Sequence, residues 1–286
     1  MSTATTNTGS LNDLIAPIVQ EAMFVASETS IMPGLVKNFT VPANAGKVLQ
    51  VPLYGTQTIA SDVGENAEIS MTAFSTDKAD ITLTEAGIAA KVTDMSRNHS
   101  TSNVIADLGK LFGEAIAKRH DRALTGLFSS FTASINDSAD TQSELTVADL
   151  HKAYATLKKA GVPGPYYGVF TPQALFALKS NLTNTYANPT NALVVTNQAM
   201  SEGFIGRIAG IDVFETSNIV EDSATSATCG VFARDALGLA VAQRLNIETQ
   251  RDASLRAEEV VASTRYGVAV LHNSYGVKIL GDNQIN

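Results

Sequence analysis

One long helical pattern constrains this chain more than any other feature. Residues 102–131 carry apolar side chains at a spacing of three and four, which places them on one face of a helix. Such a helix extends roughly 45 Å and far exceeds the ~11 residues of an average helix. Its apolar stripe needs a partner surface along its whole length, so we expect a helix that crosses a large domain or a strut in an extended one. The stripe consists of Ile105, Leu108, Phe112, Ile116, Ala123, Leu127 and Phe131, widened by Val104, Leu111, Ala115 and Leu124.

The composition excludes several classes of protein. The 286 residues, 44% of them hydrophobic, suffice for one large or two smaller domains. A net charge of -8 disfavours tight, non-specific binding of nucleic acid. Cys229 is the single cysteine, which excludes an internal disulfide, and its strand-like surroundings predict a buried thiol. We expect no signal peptide in the polar residues 1–10 and no membrane span, because no apolar run approaches ~18 residues.

The first part of the chain alternates between predicted strands and less regular segments. Residues 11–28 form an amphipathic helical pattern, which either packs on its own domain or reaches a neighbour. Residues 47–53 and 81–92 alternate as strands. Between them, residues 56–80 carry five acidic residues against one lysine and few large apolar side chains. This acidic segment cannot build its own core, so it is either a disordered loop or a long hairpin that becomes ordered against another chain.

The second part of the chain has a different period. The polar residues 137–146 suggest a domain boundary, and Thr146 is positioned to cap a helix. After the helices, three late strands are predicted to pair with residues 81–92 and to return the chain to the domain of the long helix. The further predictions are a helix that starts at Pro172, a short helix within 191–204, early strands at 166–170, 211–216, 228–233 and 237–244, and late strands at 247–250, 258–271 and 275–280.

The sequence contains no motif that indicates catalysis, a cofactor or a metal. Nucleotide-binding, nucleophile-elbow and zinc-protease motifs are absent, and the four histidines are scattered without close His or Cys neighbours. The long helix carries a group of cationic residues around His120. They form either a solvated face or a basic stripe that pairs with acidic residues elsewhere. The candidate inter-subunit contacts are therefore Asp62, Glu65, Glu68, Lys118, Arg119 and Arg122.

The order of these parts resembles the major capsid protein of tailed double-stranded DNA bacteriophages, whose fold is shared with encapsulins and the herpesvirus capsid floor. Residues 166–179, YYGVFTPQALFALK, resemble the family's strand, proline turn and helix. Residues 210–218, GIDVFETSN, resemble its glycine and strand before a turn. Residues 230–243 and 266–279 resemble its closing strands. The likeness spans nearly the whole chain and depends on the ordered set, because each motif alone is weak.

The resemblance implies an α+β tailed-phage major capsid fold with five parts. These are an N-terminal arm with a short helix (1–46), an extended β-hairpin loop (47–80), a peripheral domain (81–144) with the spine helix 102–131, an α/β axial domain (145–244), and C-terminal strands (245–286) that return to the peripheral domain.

The resemblance also implies a function without catalysis. Copies of the chain would self-assemble into hexamers and pentamers of an icosahedral shell around double-stranded DNA, and a precursor shell would mature by subunit rearrangement. The implied partners are a separate scaffolding protein, a portal, a decoration or cement protein, and the packaged DNA through non-specific proximity. The implied location is the virion capsid, which would be assembled in the host cytoplasm. The resemblance implies neither a membrane partner nor a cofactor.

Two alternatives and one departure from the family accompany this interpretation. The chain could instead be an encapsulin-like nanocompartment shell that holds protein cargo, or an enzyme with an unrecognised site on the α/β domain.

Some relatives cross-link a loop lysine to an asparagine of another subunit. This loop has no lysine between Pro52 and Asp77, so we expect no such cross-link.

Overall fold

The long helix and two sheets organise the chain in a computed structural model that describes residues 30–42, 46–54, 62, 76–99, 104–136, 144–186, 206–223 and 226–282. The helices predicted over 11–28 and within 191–204 lie outside these residues. In chain order the elements are α1 (Met32–Leu35), β1 (Lys37–Thr40), β2 (Val48–Tyr54), β3 (Thr76–Thr82), β4 (Thr84–Thr93), α2 (Asp94–His99), α3 (Val104–Thr125), β5 (Ala133–Ile135), α4 (Val147–Lys159), β6 (Tyr166–Phe170), α5 (Pro172–Tyr186), β7 (Arg207–Ile208), β8 (Ile211–Glu215), β9 (Glu221–Ser223), β10 (Ser226–Ala233), β11 (Leu237–Asp252), β12 (Ala257–Val270) and β13 (Gly276–Asp282).

The predicted long helix is present but ends earlier than its apolar pattern indicated. The α-helix α3 stops at Thr125, and a 3₁₀ helix, Gly126–Ser130, follows it. Glycine is a poor helix former, and the tighter turn lets Phe131 stack on Phe128 with ring centroids 6.0 Å apart. Both rings are buried in the main core beside Phe232, so packing of the aromatic residues determines where the helix ends.

A four-stranded sheet in the order β1-β11-β12-β4 lies beneath α3. On its face, Phe112 and Ile116 pack against Ile247, Val260 and Ala262. Strand β12 pairs antiparallel with β4 from Ala257↔Thr93 to Tyr266↔Thr84, which confirms the predicted pairing of residues 258–271 with residues 81–92. The apolar stripe is narrower than predicted, because Leu111 is 58% exposed on the opposite side of the helix.

Most of the other strands form a second sheet in the order β5-β13-β10-β6-β8-β7, with β9 attached to β10. The prediction that residues 275–280 return to the sheet of the long helix is wrong, because β13 pairs antiparallel with β10 and parallel with β5. Val277 and Ile279 of β13 are almost completely buried, and this inner position between two strands accounts for their burial. Helix α4 begins directly after Thr146, which caps it as predicted and forms a reciprocal capping box with Asp149.

Strand β11 corrects two other predictions. Residues 237–244 and 247–250 were expected to be separate strands, but they belong to one strand of 16 residues in the four-stranded sheet. Its register against β12 shifts between Val241 and Gln243 and again between Gln243 and Asn246. Such irregularities interrupt the alternation of inward and outward side chains, so a continuous strand resembles two short ones in the sequence.

The base of the acidic segment is an antiparallel hairpin. Strand β2 pairs with β3 from Val48↔Thr82 to Tyr54↔Thr76, and the predicted strand over residues 81–92 is divided at Leu83 between β3 and β4. Leu49 and Ile81 of the hairpin belong to an apolar cluster with Ala240 of β11, so the hairpin starts from the sheet surface opposite α3. Among the described helices, none has the length and apolar character needed to cross a membrane.

Candidate assembly surface

The predicted cationic residues of α3 are accessible. Lys118, Arg119 and Arg122 are exposed. The Nζ atom of Lys118 lies 3.7 Å from Oε2 of Glu114, one turn earlier, whereas Arg119 and Arg122 form no ion pair with another described residue. An exposed pair such as Lys118–Glu114 contributes little to stability, so all three cations remain available to a partner.

His120 differs from the cations beside it. Its ring is half-buried and packs edge-on against Tyr266, with centroids 4.3 Å apart. Burial lowers the pKa of His120 below its ordinary value of 6.5, while the Asp121 carboxylate opposes the shift. The Nε2 atom is buried and has no hydrogen-bond partner in the described part of the chain. His120 is therefore a packed, neutral side chain at pH 7, and the basic stripe comprises only its three exposed neighbours.

The predicted acidic partners are only partly described. Asp62 is exposed, and Glu65 and Glu68 lie outside the described residues. Within the described part of the subunit, no ion pair joins Asp62 to the cationic residues of α3. The contact between the acidic segment and the basic stripe therefore stays a prediction.

Asp121 is a structurally important residue that the sequence analysis missed. Its side chain is completely buried, although it lies between His120 and Arg122. The two carboxylate oxygens accept hydrogen bonds from Oγ of Ser30 at 2.9 Å, the backbone N–H of Met32 at 3.2 Å, the backbone N–H of Ile31 at 3.4 Å and Nδ2 of Asn218 at 3.1 Å. An acidic residue between His120 and Arg122, at the flank of the apolar stripe, was the only signal in the sequence.

These hydrogen bonds connect three segments that are distant in sequence. Asp121 belongs to α3, Ser30 and Met32 belong to the segment that enters α1, and Asn218 follows β8 of the second sheet. Thr125 reinforces the third connection, because its hydroxyl donates to the carbonyl oxygen of Asn218 at 3.4 Å. The long helix thus holds residues 30–32 and the residue that follows β8 of the second sheet.

The turn between β11 and β12 forms a second accessible surface. Arg251 makes a bidentate contact with Asp94, with N–O distances of 2.7 and 2.6 Å, and these hydrogen bonds raise the pKa of Arg251. On a neighbouring part of the sheet, Lys91 Nζ lies 2.6 Å from Glu259, which raises the pKa of Lys91. Leu255 is 55% exposed at the turn itself. A single exposed apolar side chain is ordinary on a protein surface.

The described residues contain no cluster suited to a metal ion. No group of three or more His, Cys, Asp and Glu side chains is arranged to hold one in the described ranges. Cys229 is completely buried, which confirms the prediction of a structural thiol.

Comparisons with known proteins agree with this architecture. A long helix on a sheet, a second mixed sheet and a separate antiparallel hairpin together define the class of tailed-phage major capsid folds. The sequence profile of the family described as "Phage capsid protein" matches residues 77–279, well over half of the chain. The chain therefore belongs to the phage capsid protein family, and the resemblance inferred from the sequence is confirmed. A search of curated protein sequences gives no significant match.

Solved structures show the same fold at low sequence identity. The chain is similar to a structure from Mycobacterium phage Che8, with 19% identity, a TM-score of 0.70, and coverage of 87% of this chain and 90% of that one. It is also similar to the head structure of Helicobacter pylori bacteriophage KHP40, with 11% identity, a TM-score of 0.68, and coverage of 88% and 90%. A virus-like particle from Pyrococcus furiosus matches with 13% identity, a TM-score of 0.59, and coverage of 92% and 97%.

Proposed function

We propose that this capsid protein self-assembles into hexamers and pentamers of an icosahedral shell that encloses double-stranded DNA. The main support for this proposal is the match to the phage capsid protein family over residues 77–279. The role needs no catalysis, since assembly depends on repeated weak contacts between identical surfaces. A net charge of -8 suits a shell wall past which DNA has to move.

The proposed contact between neighbouring subunits joins the acidic segment of one copy to the basic stripe of another. In this contact Asp62, Glu65 and Glu68 approach Lys118, Arg119 and Arg122 of the neighbour. Support comes from the exposure of the three cations and from the absence of an ion pair to Arg119 or Arg122 among the described residues. Opposite charges on two copies also select the correct register during assembly.

The maturation pathway and the other partners belong to the same proposal. A precursor shell forms around a separate scaffolding protein in the host cytoplasm, takes up DNA through a portal, and rearranges into the virion capsid. A decoration or cement protein is a candidate partner of the outer surface.

A second candidate function is an encapsulin-like compartment that holds protein cargo. It is favoured by the likeness to the virus-like particle from Pyrococcus furiosus, of which the chain covers 97%. The content of purified particles distinguishes the two functions. Double-stranded DNA supports the phage capsid, and a co-purifying enzyme supports the compartment.

The decisive experiment is assembly of the purified chain, followed by size-exclusion chromatography and negative-stain microscopy. We expect closed shells of uniform size, produced from the chain alone or with its scaffolding protein. A stable monomer under both conditions would contradict the proposal and would favour an enzyme with an unrecognised site on the α/β domain.

A further inference from the structure

Strand β4 is the longest edge strand of the two larger sheets. It contains ten residues and pairs with β12 on one side. The other edge strands, β1, β5 and β7, contain only four, three and two residues. Across the part of the chain that the structure describes, no strand pairs with the second edge of β4. Alternate residues of β4 therefore direct their backbone N–H and C=O groups to an edge without a described strand.

This edge lacks the features that usually prevent pairing with another strand. Strand β4 contains no proline, and its register against β12 runs along its whole length without a shift. Near its middle the side chains beside Ile88 are small, and the only charged residues are Glu85 and Lys91. A long, regular edge with small side chains is suited to the addition of a further strand. The small residues are Ala86, Gly87, Ala89 and Ala90.

The two charges of β4 are placed symmetrically about Ile88. Glu85 lies three residues before Ile88, and Lys91 lies three residues after it. When a second copy of β4 pairs antiparallel with the first and the two Ile88 residues face each other, Glu85 of each copy lies opposite Lys91 of the other. Both side chains are exposed, whereas Ile88 packs on the opposite face of the sheet, beneath α3. A register displaced by two residues in either direction places neither charge opposite the other.

The ion pairs within each subunit extend this complementarity. The Nε atom of Arg265 lies 3.1 Å from Oε2 of Glu85, and Nζ of Lys91 lies 2.6 Å from Oε1 of Glu259. Arg265 and Glu259 lie on β12, directly opposite these two residues of β4. Across two paired copies the row therefore runs Arg265, Glu85, Lys91, Glu259, and the sign of the charge alternates at every step. Exposed pairs add little free energy singly, but such a row selects one register over the others.

We propose that β4 forms a two-fold contact between two copies of the chain, by antiparallel pairing with β4 of the second copy about Ile88. The pairing joins the two four-stranded sheets into one continuous sheet. Its two-fold axis is perpendicular to the sheet, so both copies of α3 lie on the same face, as the wall of a closed shell requires. The contact deepens the proposed function, on which its location at a two-fold axis of the shell rests.

Reciprocal charge reversals test the register of this contact. In Glu85→Lys the facing residues are all positive, and in Lys91→Glu they are all negative. Each variant alone should give at least tenfold less assembled material than the wild type, because like charges face each other twice across the axis. A mixture of the two variants should recover assembly, since every facing pair in a mixed contact joins opposite charges.

The control for charge is Glu144→Lys, which changes an exposed residue outside β4 and should assemble normally. Circular dichroism checks that all variants are folded. Normal assembly of both variants of β4 alone, or no recovery in their mixture, would overturn the proposal.

A cysteine at the axis tests the contact directly. Ile88→Cys should form a disulfide between copies under mild oxidation and give a dimer band on a non-reducing denaturing gel. The native Cys229 is completely buried and gives little background. The control is Ala90→Cys, whose two copies lie four residues apart along the paired strands, roughly 14 Å, and should stay monomeric. No dimer in Ile88→Cys, or equal dimer formation in Ala90→Cys, would overturn the proposed register.

The disulfide separates this contact from the shell function, because it is measured on concentrated subunits and on assembled particles alike. Closed shells without the dimer of Ile88→Cys would support the shell function and overturn the contact. The dimer in a chain that forms no shells would support the contact and overturn the shell function.

Discussion

Asp121 shows how much of this fold depends on a single residue. Its carboxylate accepts hydrogen bonds from Ser30, Ile31, Met32 and Asn218, and it is completely buried. A buried carboxylate costs free energy unless its oxygens are fully hydrogen-bonded, and here the partners come from two other segments of the chain. Formation of this network therefore requires that the N-terminal segment, the long helix and the second sheet are all in place.

We predict that Asp121→Asn lowers the free energy of unfolding by about 2–4 kcal/mol, because an amide replaces one acceptor with a donor among buried donors. Urea unfolding of the full chain measures this loss. Glu114→Gln on the same helix removes only the exposed contact with Lys118 and should cost less than about 0.5 kcal/mol. Equal midpoints for Asp121→Asn and the wild type would contradict the role assigned to Asp121.

His120 predicts a pH dependence with a defined sign. Burial lowers its pKa below 6.5, so the folded chain binds a proton less readily than the unfolded chain. The stability from neutral His120 is complete above pH 6.5 and decreases as the pH falls below that value. We expect His120→Phe, which retains the aromatic contact with Tyr266, to lose less stability between pH 7 and pH 5 than the wild type.

Urea midpoints across this pH range measure the difference between the two slopes. The exposed Leu111→Ala, which removes no titratable group, is the control and should keep the wild-type slope. The same slope in His120→Phe and in the wild type would contradict the assignment.

At the scale of whole elements, the two faces of α3 give a matched pair of substitutions. Phe112 is 2% exposed and packs on the four-stranded sheet, whereas Leu111, one position earlier, is 58% exposed. We predict that Phe112→Ala lowers the free energy of unfolding by about 3–5 kcal/mol through lost burial and a cavity. Leu111→Ala should change it by less than about 0.5 kcal/mol, and chemical denaturation of both variants measures the contrast. Similar losses in both variants would mean that the helix faces are assigned incorrectly.

The elements that could be predicted from the sequence are those determined by local patterns. Strand β6 and the start of α4 depend on residues within a few positions, such as the Thr146 cap, and both were placed correctly. The pairing of β13 with β10 depends on contacts across about 50 residues, and nothing in the alternation of β13 distinguishes one sheet from the other. Asp121 was missed for the same reason, since its partners lie about 90 residues away in either direction.

At the scale of the whole molecule, every subunit carries an acidic segment that begins and ends in the hairpin of β2 and β3. Leu49 and Ile81 pack the base of this hairpin against Ala240 of the sheet. The remaining residues of this segment carry acidic side chains and no lysine before Lys78. Between Pro52 and Asp77 the segment therefore offers no lysine for a covalent bond to a neighbour.

This leads to a prediction about assembled particles. We expect mature shells to give a single band at the size of the monomer on a denaturing gel, because the loop has no lysine to form an isopeptide bond with a neighbour. The comparison sample is the unassembled subunit, which should migrate identically. A ladder of covalent oligomers that appears only after maturation would contradict this prediction.

The contact between subunits is tested by exchanging its charges. We predict that Glu65→Lys combined with Glu68→Lys leaves the subunit folded but reduces the yield of particles at least tenfold, because the acidic segment then repels the basic stripe of its neighbour. Circular dichroism checks the fold, and gradient centrifugation with negative-stain microscopy measures the particles.

A control variant with the same change in net charge, Glu144→Lys with Glu248→Lys, should assemble normally, since both residues are exposed outside the acidic segment. Adding Lys118→Glu and Arg122→Glu to the first variant should restore assembly. The acidic segment then carries the positive charges and the helix of the neighbour carries the negative ones.

High salt should weaken wild-type assembly and the restored assembly to a similar extent, since both depend on exposed charges. Normal particle yield from the first variant, or no recovery in the combined one, would show that these four residues do not form the contact between subunits.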